Sequence, residues 1–196
     1  MKAILLVVAA ALAANAPAPV RYTVATAGNE ARYRVREQLL HHDMPNDAVG
    51  KTTAISGALA LQSNGTFDTA ASKITIDVTT LKSDQDRRDG YVQQRLLETD
   101  RYPTVVFVPT AISGANLPFA SSGRQSLDIN GLLTVHGVTR ATVWHMKAQA
   151  NGADVTGTGY TKFTFDDVSL QQPHMRFLLS VADTITLEYD FHFVRQ

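Results

Sequence analysis

An all-β domain closed into an extended, eight-stranded antiparallel up-and-down barrel, with one amphipathic helix near residues 84–98, is what this sequence predicts. Three observations carry the prediction. Apolar and polar residues alternate with period two through most of the chain after residue 20, the pattern of strands that bury one face. The pairs Asn64-Gly65 and Asn151-Gly152 lie between alternating runs and suit hairpin turns that need positive φ. A single stretch has helical spacing, so crossover helices that would join parallel strands are missing. An antiparallel sheet of this length must curl or close to protect its edges, and an up-and-down barrel closes it.

The first element is not part of the barrel. Met1 and Lys2 precede an unbroken apolar run from Ile4 to Ala14, and a Pro/Ala stretch follows up to Pro19. This is the layout of a secretory signal peptide over 1–16, with the folded domain over 20–196. The run is about half of the roughly 20 apolar residues that a bilayer span needs, so a retained anchor is the weaker reading. Pro17 and Pro19 are poor residues to follow a cut, which leaves the mature terminus open. The expected location is periplasmic or secreted. The chain has no cysteine, so an exported domain would rest on its core and hydrogen bonds without disulfides.

The strands follow in order. Ala31, Tyr33 and Val35 alternate with three arginines; Ile55, Gly57, Leu59 and Leu61 come next, then Ile74, Ile76 and Val78. Val105 and Phe107, the set Leu127, Ile129 and Leu133, and the set Thr142, Trp144 and Met146 continue the pattern. Val155, Phe163 and Phe165 precede a last run of Ile185, Leu187, Tyr189, Phe191 and Phe193. Between 83 and 100 the spacing of Tyr91, Val92, Leu96 and Leu97 is helical, with Ser83 or Asp84 as N-cap and Tyr102-Pro103 as terminator. Proline, asparagine and glycine mark 39–53 and 114–123 as long loops, and a third spans 169–176 around Pro173.

Composition narrows the function. Eighteen basic residues balance eighteen acidic ones without long runs, which gives no electrostatic footprint for nucleic acid or an anionic membrane surface. Loss of Lys2 with the signal would leave seventeen basic against eighteen acidic residues. Gly-x-Ser-x-Gly and His-Glu-x-x-His are absent, and cysteine nucleophiles are impossible here. Gly157-Thr158-Gly159 lacks the third glycine of a nucleotide loop and sits in a strand pattern, where it eases curvature or close packing. His41, His42 and Asp43 invite a metal reading, but adjacent side chains diverge and no second cluster completes a ligand set, which favours a solvated loop. The chain reads as a binding protein with no catalytic residues, metal or cofactor.

Strand parity turns Tyr33, Val35, Phe107, Trp144, Met146, Phe163, Phe165, Leu187, Tyr189 and Phe191 inward, and these are the candidate lining of a ligand site. Small inward residues Ala31, Gly57, Gly131, Gly157 and Gly159 would leave room in the lumen. The competing reading is a barrel filled by its own side chains, since eight strands enclose just enough space for that.

Several stretches, in order along the chain, resemble the YceI family of exported, lipocalin-like proteins. Thr79-Thr80-Leu81-Lys82-Ser83-Asp84 with Leu96-Leu97-Glu98-Thr99-Asp100-Arg101-Tyr102-Pro103 is similar to its strand and helix. Leu133-Thr134-Val135-His136-Gly137-Val138-Thr139 resembles its hairpin, and Ser180-Val181-Ala182-Asp183-Thr184-Ile185 its closing strand. The resemblance spans roughly 22–196. It implies a long apolar tunnel for a lipophilic small molecule with a polyisoprenoid, quinone-like or fatty-acyl chain, and a homodimer. It also raises Arg87 and Arg88 as a head-group gate, set against ordinary helix salt bridges with Asp84, Asp86 and Asp89. The segment 33–39 departs from the family pattern and leads into a longer loop, which bears on the tunnel mouth. Two alternatives stay open: a solid barrel acting as a structural or interaction module, and a scavenger of lipophilic toxins or antibiotics.

Overall fold

The computed structural model describes residues 17–40, 43–117 and 119–196. The leader reading of 1–16 and the histidines His41 and His42 fall outside the described residues.

Ten strand segments build the barrel among the described residues: β1 (Val20–Val24), β2 (Glu30–Leu39), β3 (Asn46–Thr52), β4 (Ile55–Leu61), β5 (Lys73–Asp77), β6 (Thr104–Ser113), β7 (Ser122–Val135), β8 (Val138–Asn151), β9 (Asp154–Thr164) and β10 (Leu178–Arg195). They make eight staves. β1 and β2 lie end to end along one edge of β10, with Val24 opposite Phe193 and Ala31 opposite Tyr189. β3 pairs with β2 and β4 with β1, forming the next stave. From β4 the ring runs through β5, β6, β7, β8 and β9 back to β10, every pairing antiparallel. The predicted closed eight-stranded barrel is the observed fold.

Two strands, β1 and β3, were not read from the hydrophobic pattern. The expected loop over 39–53 contains β3, whose inward residues are Ala48, Gly50 and Thr52. Small and polar side chains suffice there because Tyr33 lies over Gly50: a Cβ at that glycine would meet the Tyr33 ring at 2.3 Å. Of the other two predicted loops, 114–123 is irregular over its described residues up to Ser121 but gives way to β7 from Ser122, and 169–176 is irregular as expected.

Turn chemistry closes the long hairpins. His136-Gly137 joins β7 to β8 with positive φ at both residues, the signature of a type I′ turn. Gly152 opens the β8–β9 turn with φ 63. Asn64-Gly65 turns the chain after β4, but residues 66–72 intervene before β5.

The helix is shorter than its apolar spacing predicts. α1 spans Asp86–Tyr91 and passes into one π-helical turn, Val92–Leu96. Neither Ser83 nor Asp84 caps it; Gln85 occupies that position without a side-chain bond, because Ser83 spends its backbone N–H and hydroxyl on the Asp89 carboxylate at 2.8 and 2.7 Å. The helix ends before Tyr102-Pro103, where Glu98 takes a left-handed conformation and Thr99 N–H reaches back to the Gln93 carbonyl. That bond, reaching six residues back, satisfies an end carbonyl beside a non-glycine residue in the left-handed position where glycine is usual.

Outward parity places Arg32, Arg34 and Arg36 on β2 against acidic residues of its two neighbours. Arg32 grips Asp190 with two bonds of 2.7 and 2.9 Å and also reaches Glu188 and Glu30. Arg34 bonds Glu188 at 2.8 Å, and Arg34 and Arg36 share Asp47. Hydrogen bonds from these guanidiniums hold the Glu30, Asp47 and Glu188 carboxyls below their ordinary range. Bidentate, networked pairs of this kind hold strand register better than isolated surface ion pairs.

Candidate functional site

Inward residues stack in layers along the barrel axis. At the helix end, Val105, Trp144, Phe163 and Ile185 come from four staves, while Val92 and Leu96 of the helical segment and Leu170 and Met175 of the 169–177 loop close over them. They enclose an apolar cavity of about 150 Å³. Below it, Ile74, Phe107 and Leu133 sit side by side on β5, β6 and β7. All three are buried, as is Tyr189 on the opposite wall, and none of the four lines the cavity. This layer is a floor. Beneath it, Leu61, Phe67, Met146 and Phe193 help enclose a second void of about 60 Å³.

The continuous tunnel expected from the resemblance is therefore two compartments in this structure. Of the residues that parity turned inward, Tyr33, Val35, Trp144, Phe163, Phe165 and Leu187 line the larger cavity, Met146 and Phe191 the smaller, and Phe107 and Tyr189 the partition. The glycines do not open the lumen as predicted. A Cβ on Gly131 would meet the Phe107 ring at 2.6 Å, on Gly157 the Phe191 ring at 2.7 Å, and on Gly159 the Met146 sulfur at 2.2 Å. Large side chains from neighbouring strands lie across these gaps, which is how a small barrel fills its interior. Ala31, by contrast, does face the larger cavity.

At the mouth, polar groups meet the apolar wall. Glu37, the next inward position of β2 after Val35, is buried and accepts from Arg88 at 2.7 Å and from Asn46 at 3.2 Å. Arg88 also bonds Asp84. Burial alone would lower the Arg88 pKa, but Glu37 and Asp84 outweigh it and the group stays charged. Arg87 is exposed and lies outside the cavity lining, because it occupies the solvent face of α1; of the two arginines only Arg88 lines the cavity. Glu37 was missed in the sequence reading, although the parity of Ala31, Tyr33 and Val35 points straight to it. Burial pushes the Tyr33 hydroxyl up to about 12, so it is a neutral group at the same mouth. On the cavity wall, Trp144 Nε1–H is buried with no partner among the described residues, and an unmet buried donor costs about 1–3 kcal/mol.

Among the described residues no group of three or more His, Asp or Glu side chains is placed to hold a metal ion, and no helix is long and apolar enough to cross a membrane.

The family model described as YceI-like domain matches residues 22–193. The chain belongs to the YceI-like family. A UPF0312 protein of Pseudomonas putida strain GB-1 is 29% identical to this YceI-like domain over 145 residues, covering 68% of this chain and 69% of the relative. A UPF0312 protein of Pseudomonas syringae pv. tomato is 28% identical over 142 residues, covering 66% and 68%. Among solved structures, the YceI-like barrel resembles a polyisoprenoid binding domain from Saccharophagus degradans, with TM-score 0.67, 14% identity and coverage of 89% of this chain and 98% of that one. Burkholderia cenocepacia BcnA gives TM-score 0.64 at 19% identity, over 87% and 98%. These two structures share the fold with the YceI-like domain.

Proposed function

We propose that this YceI-like domain is an exported, non-catalytic binding protein that holds a lipophilic amphiphile, polyisoprenoid, quinone-like or fatty-acyl, in the cavity beneath its helix. One observation carries the reading: an apolar void walled by Trp144, Phe163 and Leu187, whose charged lining residues are paired, Arg32 with Glu188 and Arg88 with Glu37. The polyisoprenoid binding domain of Saccharophagus degradans, built on the same fold, supports the ligand class.

The size of the void limits what enters the resting barrel. An engineered cavity of about 150 Å³ accepts a benzene ring, so this one takes a ring or a short branched segment. A longer chain must leave through the mouth or displace Phe107 and Tyr189 from the floor. Apolar burial supplies affinity at about 0.8 kcal/mol per methylene before association costs.

Trp144 is the single tryptophan of the chain, so its fluorescence reports on the cavity directly. Titration with farnesol is expected to change that emission saturably, and organic extracts of the protein from its native host are expected to yield an isoprenoid or acyl lipid by mass spectrometry. No lipid in the extract and no response to farnesol would defeat the carrier reading. A second reading, a solid scaffold that binds partners through its loops, is favoured by the floor layer, and the same titration separates the two. Displacement of bound lipid by a lipophilic antibiotic would mark a scavenger. The mass of the protein from a periplasmic or culture-medium fraction tests export, and sedimentation tests the homodimer.

A further inference from the structure

Exposed apolar side chains gather at one end of the barrel. Seven large ones are exposed among the described residues, and four of them, Leu40, Met44, Phe177 and Leu179, at 41, 74, 52 and 60%, belong to the mouth end. Single exposed hydrophobics are ordinary, whereas a group of them marks a contact surface. Strand pairing brings two chain segments together there. Leu39 lies opposite Leu178, and Leu40 N–H donates to the Phe177 carbonyl at 2.8 Å. Met44 follows in the turn between β2 and β3. Along the second segment burial alternates: Met175, Leu178 and Val181 line the cavity, while Arg176, Phe177 and Leu179 between them are exposed. One short ribbon has the ligand cavity on one side and an apolar solvent face on the other.

Charge indicates what this face meets. Between Asp167 and Asp183 the chain has no acidic residue, and Arg176 is its one Lys or Arg. Arg176 is exposed and has no ion pair among the described residues. Behind the tip, the outer surface of β2 and β10 is the charged belt of Arg32, Arg34, Glu188 and Asp190. The exposed carboxylates of this end are Asp43 in the β2–β3 turn and Asp84 and Asp86 on the helix side of the rim, so the ribbon and not the helix is the side suited to an anionic neighbour. An apolar tip with one free cation, backed by a charged belt, fits a lipid bilayer: hydrocarbon takes the tip and a lipid phosphate takes the guanidinium. A protein partner would need a rigid groove shaped to side chains that stand this far into solvent, whereas acyl chains mould around them.

We propose that Leu40, Met44, Phe177 and Leu179 form a tip that inserts into the head-group boundary of a bilayer, with Arg176 on a lipid phosphate, and sets the cavity mouth against the membrane. The purpose of this docking rests on the carrier reading: a lipophilic cargo passes between bilayer and cavity along Met175 and Leu178 without crossing water. The balanced charge of the whole chain gives no long-range pull, so apolar insertion holds the barrel in place.

Flotation with vesicles of phosphatidylcholine alone, and of phosphatidylcholine with one-third phosphatidylglycerol, measures the attachment. The unaltered protein is expected to float with both, and Phe177→Ser combined with Leu179→Ser to lower its partition at least tenfold. Arg176→Gln should lower partition into the anionic vesicles severalfold. Leu132→Ser, at an apolar side chain exposed elsewhere on the outer sheet, should change neither. The Trp144 response to farnesol, measured on each variant, follows cargo binding separately. No flotation of the unaltered protein, or flotation that the double variant leaves unchanged, overturns the docking, and a surviving farnesol response then leaves the carrier intact. Sedimentation of a dimer that the double variant breaks, in place of vesicle attachment, assigns the tip to a second copy and overturns the docking too. Attachment that needs Phe177 and Leu179 in a protein without a farnesol response sustains the docking and ends the carrier reading.

Discussion

The Phe107 ring lies against the Cα of Gly131, in the space a Cβ there would occupy, 2.6 Å from two of its ring carbons. This contact builds the floor between the two compartments, since Phe107 is flanked across the sheet by Ile74 and Leu133. Gly131→Ala is expected to destabilise the fold by about 1–3 kcal/mol, the usual cost of overpacking. Urea unfolding measures it, and a loss under about 0.5 kcal/mol, the size of an ordinary surface change, would show that the ring moves aside freely.

Cavity size should govern uptake. Ala48 on β3 is buried and lines the larger void, so Ala48→Phe fills it with a ring. Farnesol affinity should fall at least tenfold, with an overpacking cost of about 1–3 kcal/mol. Leu132→Ala on the outer surface, where Leu132 is 44% exposed, should leave affinity unchanged. Undiminished uptake by a folded Ala48→Phe protein would place the ligand elsewhere.

Asn29 ties the β1–β2 break to β10. Its side-chain oxygen accepts from the Tyr189 hydroxyl at 2.7 Å and from His192 N–H at 3.0 Å, and its amide donates to the Ala25 carbonyl. Asn29→Ala strands these buried groups and should cost about 2–4 kcal/mol. Tyr189→Phe should then cost at least about 1 kcal/mol less in the Asn29→Ala background than alone. Strict additivity in this double-mutant cycle would refute the coupling.

Acid should weaken the β3–β2–β10 face. Glu30, Asp47 and Glu188 have depressed folded-state pKa values because arginines bond their carboxylates. Their contribution is complete above the unfolded carboxylate pKa and disappears as pH falls through the folded values, below about pH 4.5. Glu188→Gln should cost about 1–2 kcal/mol at pH 7, and the deficit should shrink as pH falls to 3. Denaturation midpoints that run parallel for the two proteins would contradict this.

Much of this was legible in the chain. Period two with turn chemistry between the runs gave the closed antiparallel barrel and the inward parity of Tyr33, Trp144 and Phe163. β3 was not legible because Ala48, Gly50 and Thr52 carry no apolar signal; their partner, Tyr33, supplies the bulk from the next strand. Glu37 was overlooked for a related reason: an acidic residue reads as outward until parity is followed past Val35.

The sequence by itself determined the fold class, the faces of its strands and the absence of disulfide support, because those depend on local alternation and residue type. The tertiary structure alone decided that Phe107 and Tyr189 divide the bore, that glycines are covered instead of leaving space, and that Arg88 rather than Arg87 reaches the cavity. Whether a side chain fills or leaves space depends on residues brought beside it by strand pairing, and strand register carries no mark in the linear order of either strand.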